Sequence, residues 1–387
     1  MEGRFFVMKC SHILSPMMLY YMACYAVTGV YQSYSSLYFA SQGFDHAAVG
    51  LLQAAAPMVA IAAQPAWGYA ADRSPDRRWV LRGLIVASAL AVAAYPFERS
   101  FALLVMGVCL FALFQTSLQP ISDSIVLDAL NAQGKPFGPI RVSGTLAFAL
   151  VTLIAGRIFE SWGSWMPWVT ALVLLVSLAA SFTLPKQPPA EDQRFPNPFV
   201  LFKDKQLMVL LSFVALLQIT MGFFFSFYPV YFTQQLGASR QLLGWAYFIG
   251  SMSEVPFLLA ADRLFERFGA GKLLCVSAAF MALRWMLLAL LPSPVWAVAT
   301  QLLQGGGFIV MMFAMAKYIA LNVPEKLRSS GQTLLGMISY GFARVVGALA
   351  GGLLSRLWGL QILFGASAAL AALSLATLGC YAWKKKL

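Results

Sequence analysis

Gly250 to Trp285 reads GSMSEVPFLLAADRLFERFGAGKLLCVSAAFMALRW. Two apolar runs flank a short charged segment, Asp262–Arg263 through Lys272, which is expected to be a loop between two membrane-spanning helices. Glu254 sits inside the first run and Arg284 inside the second. A charged side chain at a bilayer centre costs ~2.5–3.5 kcal/mol or more, so it normally faces a partner or a water-filled cavity. A carboxylate and a guanidinium carried to mid-membrane by consecutive helices suggest a solute site.

The surrounding chain has the composition this requires. Of its 387 residues, 60% are hydrophobic and only 11% are charged, with a mean hydropathy of +0.73; soluble domains carry roughly 25% charged residues. The apolar runs are continuous rather than alternating, which favours helices over a barrel. The expected spans are 16–41, 46–71, 78–97, 101–130, 139–159 and 164–184, then 206–235, 239–261, 271–291, 293–322, 328–355 and 358–382. Between the sixth and seventh lies the one long hydrophilic stretch, PKQPPAEDQRFPNPFVLFKDK (Pro185 to Lys205), whose prolines oppose a continuous helix. The chain therefore divides into a six-helix bundle over 1–184, a linker over 185–205 and a second six-helix bundle over 206–387.

The net charge of +12 follows from topology and not from nucleic acid. With twelve spans and both termini inside, only Arg99, Arg157, Arg240 and Arg356 fall on the outer side, and Arg284, Lys317 and Arg344 lie within spans. The other basic residues collect on the side of the termini, as the positive-inside rule requires. A multi-pass protein of a bacterial-type inner membrane is expected, with cytoplasmic termini, a monomeric state, and small molecules, protons and lipid as partners.

The two halves repeat. Ala70-Ala71-Asp72-Arg73 closes span two and Ala260-Ala261-Asp262-Arg263 closes span eight. Arg141-Val142-Ser143-Gly144 opens span five and Arg328-Ser329-Ser330-Gly331 opens span eleven. Duplicated halves with a site between them near the midplane describe many secondary transporters. Pairing of spans two with eleven and eight with five would set Asp72 against Arg328 and Asp262 against Arg141, with Arg73 and Arg263 alongside. Each Asp would also meet the positive N-terminal end of a helix. These six residues are the expected inner gate.

The loop GYAADR (Gly68 to Arg73), followed by Arg77-Arg78, resembles the G-x-x-x-D-R motif of the major facilitator superfamily, although Pro75 and Asp76 stand where a Gly and a basic residue are usual. FGPIRVSGTLAFAL (Phe137 to Leu150), the SEVPF run at Glu254 and Arg284-Trp285 resemble the branch of proton-coupled symporters near lactose permease, the nucleoside symporters and the 3-phenylpropionate transporter. Gln301 to Ala320 is similar to span ten of the last of these, with Gln304 and Met312 in place of two histidines. The resemblance implies an all-α fold of twelve helices in two pseudo-symmetric bundles, alternating access, and no cofactor.

Candidate site residues follow from charge and helical spacing. Glu254, about 12 Å inside the end of its helix, shares a face with Tyr247 and Ser251 by i, i+4, i+7 spacing. It is the first candidate for loading and releasing a proton, because burial and nearby charge shift a carboxyl's affinity for one. Asp123, on one face with Thr116 and Gln119 in a span bent at Pro120, is the second. Arg284, Arg344 and Lys317 against these two carboxylates leave one positive charge, which would suit a carboxylate-bearing solute. Tyr25 and Gln32 in span one, with Gln218, Phe225 and Tyr228 in span seven, would line a wet cavity and suit an aromatic or sugar solute. The five cysteines show no metal-like spacing. No hydrolase or phosphate-cradling motif occurs, and His12 and His46 lie near span ends. The reading is a proton-coupled importer of a small organic solute, with carboxylate-bearing or aromatic compounds first and a sugar or nucleoside second. An exporter of the same fold and a non-transporting sensor are the alternatives.

Overall fold

The computed structural model describes residues 14–98, 100–132, 134–135, 137–186 and 198–385. Cys10, His12, Arg99 and the linker segment 187–197 lie outside them. Ten of the described helices are long and apolar enough to cross a membrane. One of these, the 51-residue Arg240–Leu290, breaks at Gly269 into two, and the Tyr-rich helix Leu14–Ser41 adds a further span. Twelve spans result: α1 Leu14–Ser41, α2 His46–Arg73, α3 Arg77–Ala94, α4 Phe101–Asn131, α5 Gly138–Ser161, α6 Met166–Ser181, α7 Lys205–Gln235, α8 240–268, α9 270–290, α10 Pro294–Asn322, α11 Glu325–Trp358 and α12 Leu360–Lys385.

Their starts are written locally. Asp45, Asp76, Ser100, Asp204 and Ser239 each accept a hydrogen bond from a first-turn N–H of the helix that follows, which satisfies a donor the helix itself leaves free. The segment after Asp262 departs from expectation. It is not a loop: helix continues through Asp262–Phe268, and the turn is confined to Gly269 at φ +72°. Leu, Arg, Glu and Phe propagate a helix in water as readily as in lipid, and only a residue without Cβ adopts that φ cheaply. Three spans of the second half carry π-helical turns, at Tyr231–Gln235, Gly305–Ile309 and Met337–Phe342; such turns are frequent at functional sites.

The helices alternate between a base, where α1 begins and α12 ends, and a rim at the opposite end. Across the linker, α2 packs on α11 and α5 on α8, the adjacency that the resemblance to the superfamily implied. The polar bonds joining these pairs sit at the rim. Asp45 pairs with Arg356 at 3.3 Å, His46 meets the Ser355 carbonyl at 3.3 Å, Arg240 donates to the Phe159 carbonyl at 2.6 Å, and the Gln241 N–H donates to Glu160 at 3.1 Å. Glycines permit the approach: a Cβ on Gly50 would stand 2.5 Å from the Ala348 carbonyl oxygen and 3.0 Å from Gly352 Cα.

Candidate functional site

At the base, the ion pairs among the described residues stay within a half. Arg77, buried, lies 3.2 Å from Asp72 and 2.7 Å from Asp128, and Lys317 bonds Asp262 at 2.7 Å. Asp72 and Asp262 remain mostly solvated, at 56% and 69% side-chain exposure. Arg141 lies over the Tyr25 ring at 4.8 Å, Arg328 donates to the Val323 carbonyl at 3.3 Å, and Arg73 stacks on Tyr69 at 4.4 Å. The six expected gate residues are thus at one end of the molecule but not joined across the halves; Arg263 is exposed there too. Asp76, which departs from the motif, caps α3 and pairs with Arg78 at 2.7 Å; that guanidinium holds its carboxyl below the ordinary range.

Deeper in the second half, α8, α9 and α10 converge on one polar chain. Arg284, fully buried, donates through Nη2 to the side-chain carbonyls of Gln301 and Gln304. Gln304 Nε2 in turn donates to Glu254 Oε1 at 2.9 Å. The expected Glu254 and Arg284 are therefore coupled through an amide and not bonded directly. The amide can bridge them because it offers an acceptor to the cation and a donor to the anion. The π-turn that starts at Gly305 holds it there: a Cβ at Gly305 would collide with the Ser253 carbonyl, and the Gly305 N–H bonds the Ser253 hydroxyl at 3.1 Å.

Aromatic rings wall this chain. The Arg284 guanidinium lies 4.3 Å from the Phe224 ring centre, and Trp285 donates to Thr220 at 2.9 Å. Tyr228 donates to the Ala297 carbonyl at 3.1 Å and stands edge-on to Tyr247. Arg344 stacks on Phe225 at 4.0 Å with Tyr340 on its flank. Several polar atoms here are buried without a partner: Gln218 Oε1, Tyr247 Oη, Arg284 Nε and Arg344 Nε. Gln218 spends its amide N–H on Met312 Sδ at 3.1 Å.

The first half contributes a smaller site. Asp123 accepts hydrogen bonds from Tyr21 and, at 2.7 Å, from Gln119, and no described cation pairs with it. Tyr25 stacks on Tyr21 and closes over Gly144. Gln32 is half-buried on α1. Lys317 is not brought to the site: it lies thirteen residues along α10 from Gln304, about 20 Å, in its bond with Asp262.

Sequence reasoning missed Gln301 as a partner of Arg284, along with Phe224, Tyr340 and Tyr21. A signal for Gln301 existed, since Gln301 and Gln304 are two amides at i, i+3 within an apolar span. No group of three or more His, Cys, Asp or Glu among the described residues could hold a metal ion.

The chain matches the MFS_1 like family model over residues 14–366. It is 30% identical over 351 residues to maltose permease of Geobacillus stearothermophilus, covering 88% of this chain and 87% of that one. It is 24% identical over 348 residues to nucleoside permease NupG of Escherichia coli, covering 82% and 81%, and 24% identical over 245 residues to the probable 3-phenylpropionic acid transporter of the same organism, covering 62% and 64%. A crystal structure of nucleoside transporter NupG superposes with a TM-score of 0.87 at 17% identity, covering 95% of this chain and 99% of that one.

Proposed function

The chain belongs to the MFS_1 like family of membrane transporters and is no enzyme, and from that premise we propose that it is a proton-coupled symporter importing a neutral, polyhydroxylated solute, a sugar or a nucleoside. The observation that carries this reading is the Arg284–Gln304–Glu254 chain. With Lys317 engaged by Asp262, the interior charges are Arg284 and Arg344 against Glu254 and Asp123. Those four balance, which removes the share of the positive surplus that Lys317 supplied; Arg141, over Tyr25, also acts on Glu254 from the first half. Amide and tyrosyl groups with unpartnered atoms, set among aromatic rings, suit hydroxyl groups and a ring face. The names of the similar maltose and nucleoside permeases agree in class.

Glu254 is proposed as the principal proton site and Asp123 as the second, since each carboxylate is held by neutral donors and can gain a proton without breaking an ion pair. Gln218, Phe225, Tyr228 and Tyr247, with Tyr25, Gln32 and Gln119 from the first half, are proposed to contact solute. The base is the cytoplasmic side by the distribution of basic residues. The rim is bonded across the halves while the described ion pairs of the base stay within each half, which is read as an inward-facing state with the gate pairs Asp72–Arg328 and Asp262–Arg141 parted. An aromatic carboxylate is the second reading, favoured by Arg344, whose Nε is unpartnered while its plane lies on Phe225.

Proteoliposome uptake tests both readings. Maltose or uridine is expected to accumulate under an inside-alkaline pH gradient, and 3-phenylpropionate only weakly. Glu254→Gln should abolish that accumulation yet retain counterflow, because the amide mimics a protonated carboxyl that cannot release its proton. Uptake indifferent to the pH gradient would refute the coupling, and full accumulation by the variant would remove Glu254 as the proton site.

A further inference from the structure

On the base side of the Arg284–Gln304–Glu254 chain lies a cavity of about 350 Å³ between α8, α10 and α11, within the size range of small-molecule pockets. Its walls include Leu258, Met312, Phe313 and Leu335, with Gln332 and Tyr340 as the polar members, so it is mostly apolar; Gly336 also lines it. Its place is set by helical spacing. Leu258 is one turn beyond Glu254 toward the base, and Tyr340 is one turn before Arg344. Met312 carries the sulfur to which Gln218 donates. Polar groups of the candidate site therefore border one edge of an otherwise apolar chamber. The π-turn Met337–Phe342 helps shape it, and Gly336, just before that turn, has nothing within 4 Å of where a Cβ would stand.

We propose that this cavity is an apolar subsite for an aryl or alkyl group attached to the polar solute, so that the protein recognises amphipathic solutes such as aryl glycosides better than the parent sugar. This rests on the reading of the adjoining polar chain as the solute site. The recognition is physical: water in an apolar chamber is replaced by an apolar group at a gain proportional to the area covered. The polar part meanwhile keeps its hydrogen bonds at Gln218, Gln304 and Tyr247. Hydrophobic pockets of this kind discriminate by ~10- to 200-fold.

The test uses the full chain in lipid nanodiscs and matched probes: methyl and phenyl β-maltoside, and uridine and 5′-O-benzyluridine. In the unmodified protein, the aryl member of whichever pair binds is expected to have a Kd at least ~10-fold lower. Gly336→Leu fills open space and should abolish that advantage while leaving the methyl maltoside or uridine Kd unchanged. Equal affinities within the pair, or equal losses for both members in Gly336→Leu, would overturn the subsite. Binding by neither pair refutes the solute reading instead, and the cavity is then read with benzyl alcohol alone. Benzyl alcohol should slow maleimide modification of a Met312→Cys thiol, followed by peptide mass, and should lose that effect when Gly336→Leu is added. Absence of protection would overturn the cavity proposal independently.

Discussion

Gly50→Ala should move this transporter toward the state with an open rim and a closed base. In the structure, the three atoms nearest to an added methyl at Gly50 are all backbone: the Ala348 carbonyl oxygen at 2.5 Å, Gly352 Cα at 3.0 Å and Gly352 N at 3.3 Å. Backbone in the middle of a helix cannot rotate away, so α2 and α11 must separate by several tenths of an ångström. Overpacking of this kind costs ~1–3 kcal/mol. The cost is felt only while the rim is joined, whereas the better helix propensity of Ala over Gly acts in both states and cancels. A difference of ~1–3 kcal/mol between two states changes their ratio about 5- to 150-fold. Gly68→Ala on the same helix is the control, because nothing lies within 4 Å of its added Cβ. Spin labels on the exposed rim residues Gln42 and Leu357 should report a longer distance in Gly50→Ala and no change in Gly68→Ala. If the two ends alternate, a disulfide between cysteines at Asp72 and Arg328 should form faster in Gly50→Ala, because a closing base brings α2 and α11 together at that end. Unchanged rim distances in a folded Gly50→Ala would refute the reasoning. A longer rim distance with slower cross-linking would mean that the base does not close as the rim opens.

Arg344→Gln should weaken binding of 3-phenylpropionate at least ~10-fold while changing maltose or uridine binding little, because a charge-assisted hydrogen bond is worth ~1.5–3 kcal/mol; isothermal titration showing equal losses would assign Arg344 to packing alone. Glu98, just beyond the rim end of α3, packs its carboxylate against Gly107 with Oε2 unpartnered, and desolvation pushes its pKa up to about 7. The folded chain then holds this proton more tightly than the unfolded chain. That contribution is fully present below the ordinary carboxyl pKa of about 4.3 and lost as pH rises through about 7. Glu98→Gln should therefore raise Tm at pH 8 and flatten its dependence between pH 5 and 8, and a Tm profile identical to that of the unmodified protein would sink the argument. Removing Arg77, which pairs with Asp72 and Asp128, should cost about 1–3 kcal/mol as Arg77→Leu. Solvation of the two Asp partners keeps the loss near the low end of that range, and no fall in Tm would refute it.

The spans were legible in the chain because hydropathy is a local property, whereas the pairing of α2 with α11 and α5 with α8 was expected only on the resemblance to the superfamily arrangement. Twenty apolar residues cross a bilayer whatever surrounds them, and Asp45 or Ser239 caps its helix through atoms only three residues away. The presence of an interior Glu254, Arg284, Arg344 and Asp123 was legible for the same reason, since a charge inside an apolar run needs no tertiary context to be recognised. Partner choice was not. Arg284 reaches Gln301 and Gln304 because α9 and α10 cross at one depth, and Asp72 pairs with Arg77 of its own half. Lys317 turns to Asp262 because α8 continues as helix past the apolar run, which the dense charges of Asp262–Lys272 concealed. These are distances between segments remote in sequence. On the proposed alternating-access reading, those distances belong to a state as well as to a fold, and periodicity along one chain carries no information about which state is held.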